Sequence, residues 1–215
     1  MKRERRLIIA LDVEAEKALW IAQQTSELCD AFKVNYPLVL SAGLEVVDRL
    51  SARGDVLCDL KVADIPEINR LIVKLLFDHS ASGVIVHGFP GEDSVMACIE
   101  AAKGDVFVVT LMSHPGAERF LAPTAEDIAV MARDRGAAGI IAGATRPDRI
   151  ARFREIVGDL MILSPGIGPQ GGDPREAIRQ GADYLIVGRR ITQAEDPARA
   201  AEEVLLEIER AGESL

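Results

Sequence analysis

The chain has 215 residues, 48% of them hydrophobic but only 4% aromatic, three cysteines and a formal net charge of −9. That length fits a single domain spanning 1–215, and a core left to Val, Ile, Leu and Ala suits parallel strands buried on both faces. The acidic balance argues against nucleic acid or an anionic membrane as a partner, and leaves an anionic small molecule only where a pocket is locally basic.

The charged start, residues 1–6, reads as a solvated tail, and the apolar run behind it stops at Asp12. That run is too short for a signal-peptide core or a membrane span. Cys29, Cys58 and Cys98 are odd in number and widely spaced, which suggests neither a disulfide framework nor a zinc pattern. A reduced cytosol is the simplest setting.

From there, short apolar runs alternate with longer amphipathic stretches. The runs predict eight strands, at 7–11, 31–34, 56–60, 83–87, 106–112, 139–142, 160–163 and 184–187. Between and after them, apolar residues at three- and four-residue spacing predict helices over 14–28, 37–53, 66–79, 92–102, 125–135, 147–157, 173–180 and 197–211. Start signals precede several: Asp64 with Pro66, Thr124, Thr145 before Pro147, and Asp173 before Pro174. Eight β–α units without a composition break point to a closed (β/α)8 TIM barrel. The alternative is an open doubly wound sheet, which a glycine fingerprint after the first strand would favour; Asp12-Val13-Glu14 is not one. The longest connection, 113–123, has the length of a lid.

Barrel chemistry sits at the carboxyl ends of the strands. Read in order, those ends carry Asp12, Lys33 with Asn35, Asp59 with Lys61, His87, Ser113, Thr145, Pro165 with Gln170, then Gly188 with Arg189. Each has a plain explanation alone: Asp12 as a helix cap, Lys33 as a snorkelling surface lysine, His87 as a hydrogen-bonded core residue. A complete polar rim is harder to explain that way. The third end is the most telling. In Asp59-Leu60-Lys61-Val62-Ala63-Asp64-Ile65-Pro66, strand alternation points Asp59 and Lys61 to one side, and Asp64 follows where the chain turns into a helix. Ions at the end of an apolar strand are costly to bury, so the cluster is either a structural salt bridge or a site. The glycine-rich stretch 164–172 and Gly188-Arg189 follow the last two strands, where backbone N–H groups and a forked arginine commonly hold a phosphate.

Together, the Asp59–Pro66 segment, Met112-Ser113-His114-Pro115-Gly116, Ser164-Pro165-Gly166-Ile167-Gly168 and Val187-Gly188-Arg189 resemble the orotidine 5′-phosphate decarboxylase family in its compact archaeal form. The resemblance runs from Leu7 to about Pro197. It implies cofactor-free decarboxylation to uridine 5′-phosphate, with no metal, in a homodimer. Lys61 would protonate C6, Asp59 would face the substrate carboxylate, and Asp64 would come from the neighbouring subunit to fix the Lys61 ammonium. Asp12 and Lys33 would hold ribose hydroxyls and complete an alternating charge network. Ser113 would read the pyrimidine edge, with Pro165 beside the ring and Ile65 among the substrate contacts. Gln170, Gly188 and Arg189 would grip the phosphate. One position departs: Ile68 stands where the resemblance leads us to expect threonine, leaving one ribose contact open.

Two other readings remain. A magnesium-dependent sugar-phosphate decarboxylase or aldolase of the same superfamily would want an acidic ligand where Lys33 stands. A non-catalytic nucleotide-binding barrel would be signalled by loss of Lys61 or a flanking aspartate, and all are present.

Overall fold

The computed structural model of the chain describes residues 4–212. Eight parallel strands close into a barrel: β1 (Leu7–Ala10), β2 (Ala31–Asn35), β3 (Asp55–Val62), β4 (Gly83–His87), β5 (Asp105–Val109), β6 (Gly139–Ile141), β7 (Met161–Pro165) and β8 (Tyr184–Val187). Closure comes from β8 pairing back onto β1, with Leu7 opposite Leu185 and Ile9 opposite Val187. The fold is therefore a single (β/α)8 TIM barrel, and the open-sheet alternative is excluded.

Strand alternation divides the apolar residues into two layers. Ile8, Ala10, Leu57, Ile85, Phe107, Leu163 and Tyr184 fill the barrel interior, while Ile9, Phe32, Val56, Val84 and Ile140 face the surrounding helices. Both faces of each strand are buried, which is why the strands read as unbroken apolar runs. The inward parity of Ala10, Ala31 and Leu57, carried two residues on, delivers Asp12, Lys33 and Asp59 to the top of the interior.

Several elements differ from expectation. The helix expected over 37–53 is two helices, Tyr36–Ala42 and Glu45–Ser51, because Gly43 between them turns left-handed (φ 76°). β5 stops at Val109 rather than 112, since β6 offers it only three partners, Gly139 to Ile141. Conversely β7 runs on to Pro165 because Ser164 and Pro165 pair with Leu185 and Ile186 of β8. The 113–123 connection contains a short helix, Ala117–Phe120, and the 3-10 turn Ala122–Thr124.

Of the start signals, Asp173 caps as expected, its carboxylate accepting from the N–H groups of Arg175 and Glu176 at 2.8 and 3.3 Å. Thr124 does not cap; its hydroxyl bonds back to the Leu121 carbonyl. Thr145 does not cap either, because Arg146 takes that position. The charged start also differs. Residues 1–3 lie outside the described residues, but Glu4, Arg5 and Arg6 are pinned, all three donating backbone N–H bonds to the Asp30 carboxylate. The Arg6 side chain further bonds the carbonyls of Ala182 and Asp183. Among the described residues, no helix is long and apolar enough to cross a membrane.

Candidate active site

A cavity of about 390 Å³ opens at the carboxyl ends of the strands. Its floor is the interior layer (Ala10, Ile85, Val109, Ile141 and Ile186), and its polar walls come from the last residues of the strands and the loops above them. On one wall, four charged side chains alternate in sign. Lys33 Nζ lies 3.3 Å from Asp12 Oδ1 and 3.2 Å from Asp59 Oδ2, and Lys61 Nζ lies 2.8 Å from Asp59 Oδ1. The middle of the row is dry: the Lys33 and Asp59 side chains are 7% and 10% exposed, against 46% for Asp12 and 36% for Lys61. Burial alone would push the Asp59 carboxyl up, but the Lys33 and Lys61 ammoniums outweigh it and hold the group below the usual carboxylate range. Asp59 is thus an anion at neutral pH, kept in place by two cations.

The end of β3 is not a regular strand. Cys58 pairs with Val84 and Val62 with Val86, so four steps along β3 match only two along β4. Within this bulge Lys61 adopts φ 43°, a left-handed conformation that costs a side-chain-bearing residue energy. Asp59 and Lys61 meet as expected, with Nζ donating to the carboxylate at 2.8 Å, but they do so within this irregular segment rather than on a regularly alternating strand.

The groups expected to hold a phosphate line the same cavity: Gln170 on the loop after β7, and Gly188 and Arg189 at the end of β8, which pairs with β1, while Pro165, Ile167 and Ser113 also belong to the lining. The glycines of this loop are needed for its shape. Gly166 has φ 102°, and a Cβ on Gly172 would come within 2.6 Å of the Gly166 carbonyl, to which the Gly172 N–H donates at 3.0 Å. Beside the loop, Thr145 Oγ1 is buried without a hydrogen-bond partner, one of a few such atoms that include Asn35 Oδ1 and Ser164 Oγ.

Two expected residues stand outside this cavity. Asp64 and Ile65 are exposed, on the turn between β3 and the helix Pro66–Asp78, and neither lines the site of its own chain. His87 is a buried core residue at the end of β4, packed on Phe89 with ring centres 4.8 Å apart. Burial first, and the Lys61 charge second, push its pKa down to about 4, so it is neutral. Sequence reasoning missed Gln193, which also lines the cavity; Met112 and Pro169 line it too, within segments the sequence singles out but without roles of their own. Gln193 follows the single-turn helix Arg189–Thr192, and nothing in its local sequence marks it. Among the described residues, no group of three or more His, Cys, Asp or Glu side chains is placed to hold a metal ion.

A TIM barrel whose rim joins a row of alternating charges, buried at its centre, to a glycine-rich loop after β7 belongs to the class of phosphate-handling barrel enzymes. The chain belongs to the orotidine 5′-phosphate decarboxylase / HUMPS family, whose model matches residues 5–204. It is 49% identical to an orotidine 5′-phosphate decarboxylase of Methanococcoides burtonii, over 97% of this chain and 99% of that one. It is 51% identical to the enzyme of that name from Methanosarcina mazei, over 97% of each. Among solved structures, the orotidine 5′-monophosphate decarboxylase of Methanocaldococcus jannaschii complexed with inhibitor BMP superposes with a TM-score of 0.90. That match is 40% identical and covers 94% of this chain and 97% of the other.

Proposed function

We propose that this protein decarboxylates orotidine 5′-phosphate to uridine 5′-phosphate and carbon dioxide, a step of pyrimidine nucleotide synthesis, without a cofactor. The observation that carries the proposal is the Asp12–Lys33–Asp59–Lys61 row, buried at its centre, which shares one cavity with Gln170, Gly188 and Arg189.

The chemistry follows from the charges. With the phosphate at Gln170, Gly188 and Arg189, the pyrimidine lies toward Ser113 and Pro165, and its carboxylate meets Asp59. Two carboxylates in contact repel, and that repulsion is relieved as carbon dioxide leaves. The C6–carboxylate bond breaks, its electron pair stays on C6, and the Lys61 ammonium beside it stabilises a charge that grows only in the transition state. Lys61 then gives its proton to C6, and solvent reprotonates the amine. Asp12 and Lys33 hold the ribose hydroxyls. Contacts to the distant phosphate supply binding energy that organises the rim around the reacting carbon.

The working unit is a homodimer in which Asp64 crosses to the partner's site and orients its Lys61. Supporting this, Asp64 is exposed and does not line its own cavity, and Ile65, Ile68, Leu71 and Leu75 form an exposed apolar stripe along the adjoining helix. Ile65 would then reach substrate only from across the interface. Three free cysteines, two buried and one half-buried, are consistent with a reducing cytosol. Against the magnesium-dependent reading, Lys33 brings its own cation between the two carboxylates that a metal would need.

Incubation with orotidine 5′-phosphate, with and without EDTA, tests the proposal through the change in pyrimidine absorbance. Equal turnover in both is expected. Activity abolished by chelator would favour the metal-using branch, and no turnover under either condition would reject decarboxylation.

A further inference from the structure

The turn that presents Asp64 is held from inside by a side chain that takes no part in the charged row. Asn69, on the first turns of the helix Pro66–Asp78, is fully buried. Burying an amide is costly unless its groups are bonded, and here they are spent on two residues, Asp64 and Ser94. Asn69 Oδ1 accepts the Asp64 backbone N–H at 3.0 Å, and Nδ2 donates to the Asp64 carbonyl at 3.0 Å. Nδ2 also donates to Ser94 Oγ at 2.6 Å, and that hydroxyl donates onward to the same Asp64 carbonyl at 3.1 Å. Ser94, itself buried, sits on the helix Glu92–Ala101, so two helices close on the backbone of one residue, holding the peptide groups on both sides of it.

The residue gripped in this way is itself exposed. Its Oδ1 accepts the Ile65 N–H at 2.7 Å, which fixes the carboxylate against its own turn. Just upstream lies the left-handed Lys61, a conformation that persists only where its surroundings hold it. Two fully used buried polar side chains are a large commitment to an exposed turn, unless the direction of its carboxylate matters.

We infer that Asn69 and Ser94 are positioning residues for Asp64. The pair fixes the turn before the subunits meet, so that the carboxylate reaches the partner's Lys61 already oriented. This rests on the proposed role of Asp64 in trans. A misplacement of about 1 Å in such a group costs on the order of a hundredfold in rate, which sets the scale expected when the clamp is loosened.

The test is a double-mutant cycle on the full-length dimer, with kcat per folded site and uridine 5′-phosphate affinity as readouts. Asn69→Ala should lower kcat by roughly 10- to 100-fold and Ser94→Ala by a smaller factor, with product affinity changed less than about threefold. In an Asp64→Asn background, either substitution should lower kcat by less than about threefold, because the group it positions is already disabled. Equal losses in both backgrounds, or no loss in either, would overturn the clamp. Should Asn69→Ala fail to fold, Ser94→Ala decides alone, since it removes one hydroxyl and leaves both Asn69 bonds to Asp64. If Asp64→Asn alone retains full turnover, the in-trans reading of Asp64 fails, and the clamp's catalytic role with it. If Asp64→Asn is crippled but the losses simply multiply, only the clamp fails.

Discussion

Arg189 and Arg190 are neighbours in the chain with opposite employment: Arg190 forks onto Glu207, at 2.8 and 2.7 Å, while Arg189 lines the cavity. Glu207 holds the Arg190 guanidinium more firmly protonated, chiefly through that hydrogen bond. The pair joins the turn after β8 to the last helix, Pro197–Gly212.

Arg189→Ala should therefore sharply lower turnover at low substrate while hardly touching the slow reaction of the phosphate-free nucleoside. A forked charged contact in a closed pocket is worth about 2–4 kcal/mol, or roughly thirty- to thousandfold in kcat/KM. Arg190→Ala should instead lower the midpoint of urea unfolding and leave kcat/KM close to wild type. Equal damage to nucleotide and nucleoside by Arg189→Ala would make it a structural residue.

Subunit mixing examines the shared site. Asp64→Asn and Lys61→Ala chains, each inactive alone, should regain activity when mixed, because one site of each heterodimer keeps both side chains. Recovery approaching about a quarter of the wild-type rate is the ceiling for random exchange at equal concentrations, as with any two-site dimer. No recovery despite mass-spectrometric proof of exchange would place Asp64 outside the partner's site.

His87 should make the protein sensitive to mild acid. Its folded pKa, about 4, lies below the ordinary histidine value of 6.5, so between those limits the unfolded chain binds more protons. Stability is then full above the unfolded value and declines as pH falls from about 6.5 toward 4. Allowing for partial screening, the loss from pH 7 to pH 5 should be about 1–2 kcal/mol. Urea unfolding at both values should show a smaller loss in His87→Gln. An identical loss in the variant would assign the acid sensitivity to other groups.

The Ile68 departure should have little consequence for chemistry. Ile68 is partly exposed on the same stripe as Ile65 and Leu71, where it can pack against a second subunit. Threonine would add a neutral hydrogen bond worth about 0.5–1.5 kcal/mol and forfeit methyl burial of similar size. Ile68→Thr should thus change KM by less than about tenfold with kcat nearly constant. A large fall in kcat with the dimer intact would mean that Ile68 shapes the site.

Much of this was legible in the sequence, for physical reasons that also explain what was not. Strands buried on both faces announce themselves as apolar runs, so the positions of all eight were readable, and with them the strand ends that carry Asp12, Lys33 and Asp59. Gly43 looked like one residue of a long helix because the apolar spacing continues past it; only its left-handed backbone divides the helix. The β3 bulge leaves no mark on hydrophobic pattern, so the strain at Lys61 was invisible. Family resemblance singled out Arg189, but the employment of Arg190 was hidden, since its partner Glu207 stands seventeen residues away. Asn69 read as an ordinary helix residue because its partners, Asp64 and Ser94, are found only by folding two β–α units together.

The most direct measurement of the central claim is turnover of orotidine 5′-phosphate in deuterium oxide containing EDTA, with the product examined by proton NMR and mass spectrometry. Proton delivery from Lys61, whose ammonium exchanges with solvent, should give uridine 5′-phosphate with a single deuterium, at C6. Lys61→Ala should form essentially none while still binding uridine 5′-phosphate, since general acids contribute ~10²–10⁴-fold and this one also stabilises the carbanion. Lys61→Ala retaining more than about a tenth of the wild-type rate would contradict the account, because that loss falls short of what a general acid supplies. So would wild-type protein that forms no uridine 5′-phosphate, or forms it only when a divalent metal is restored.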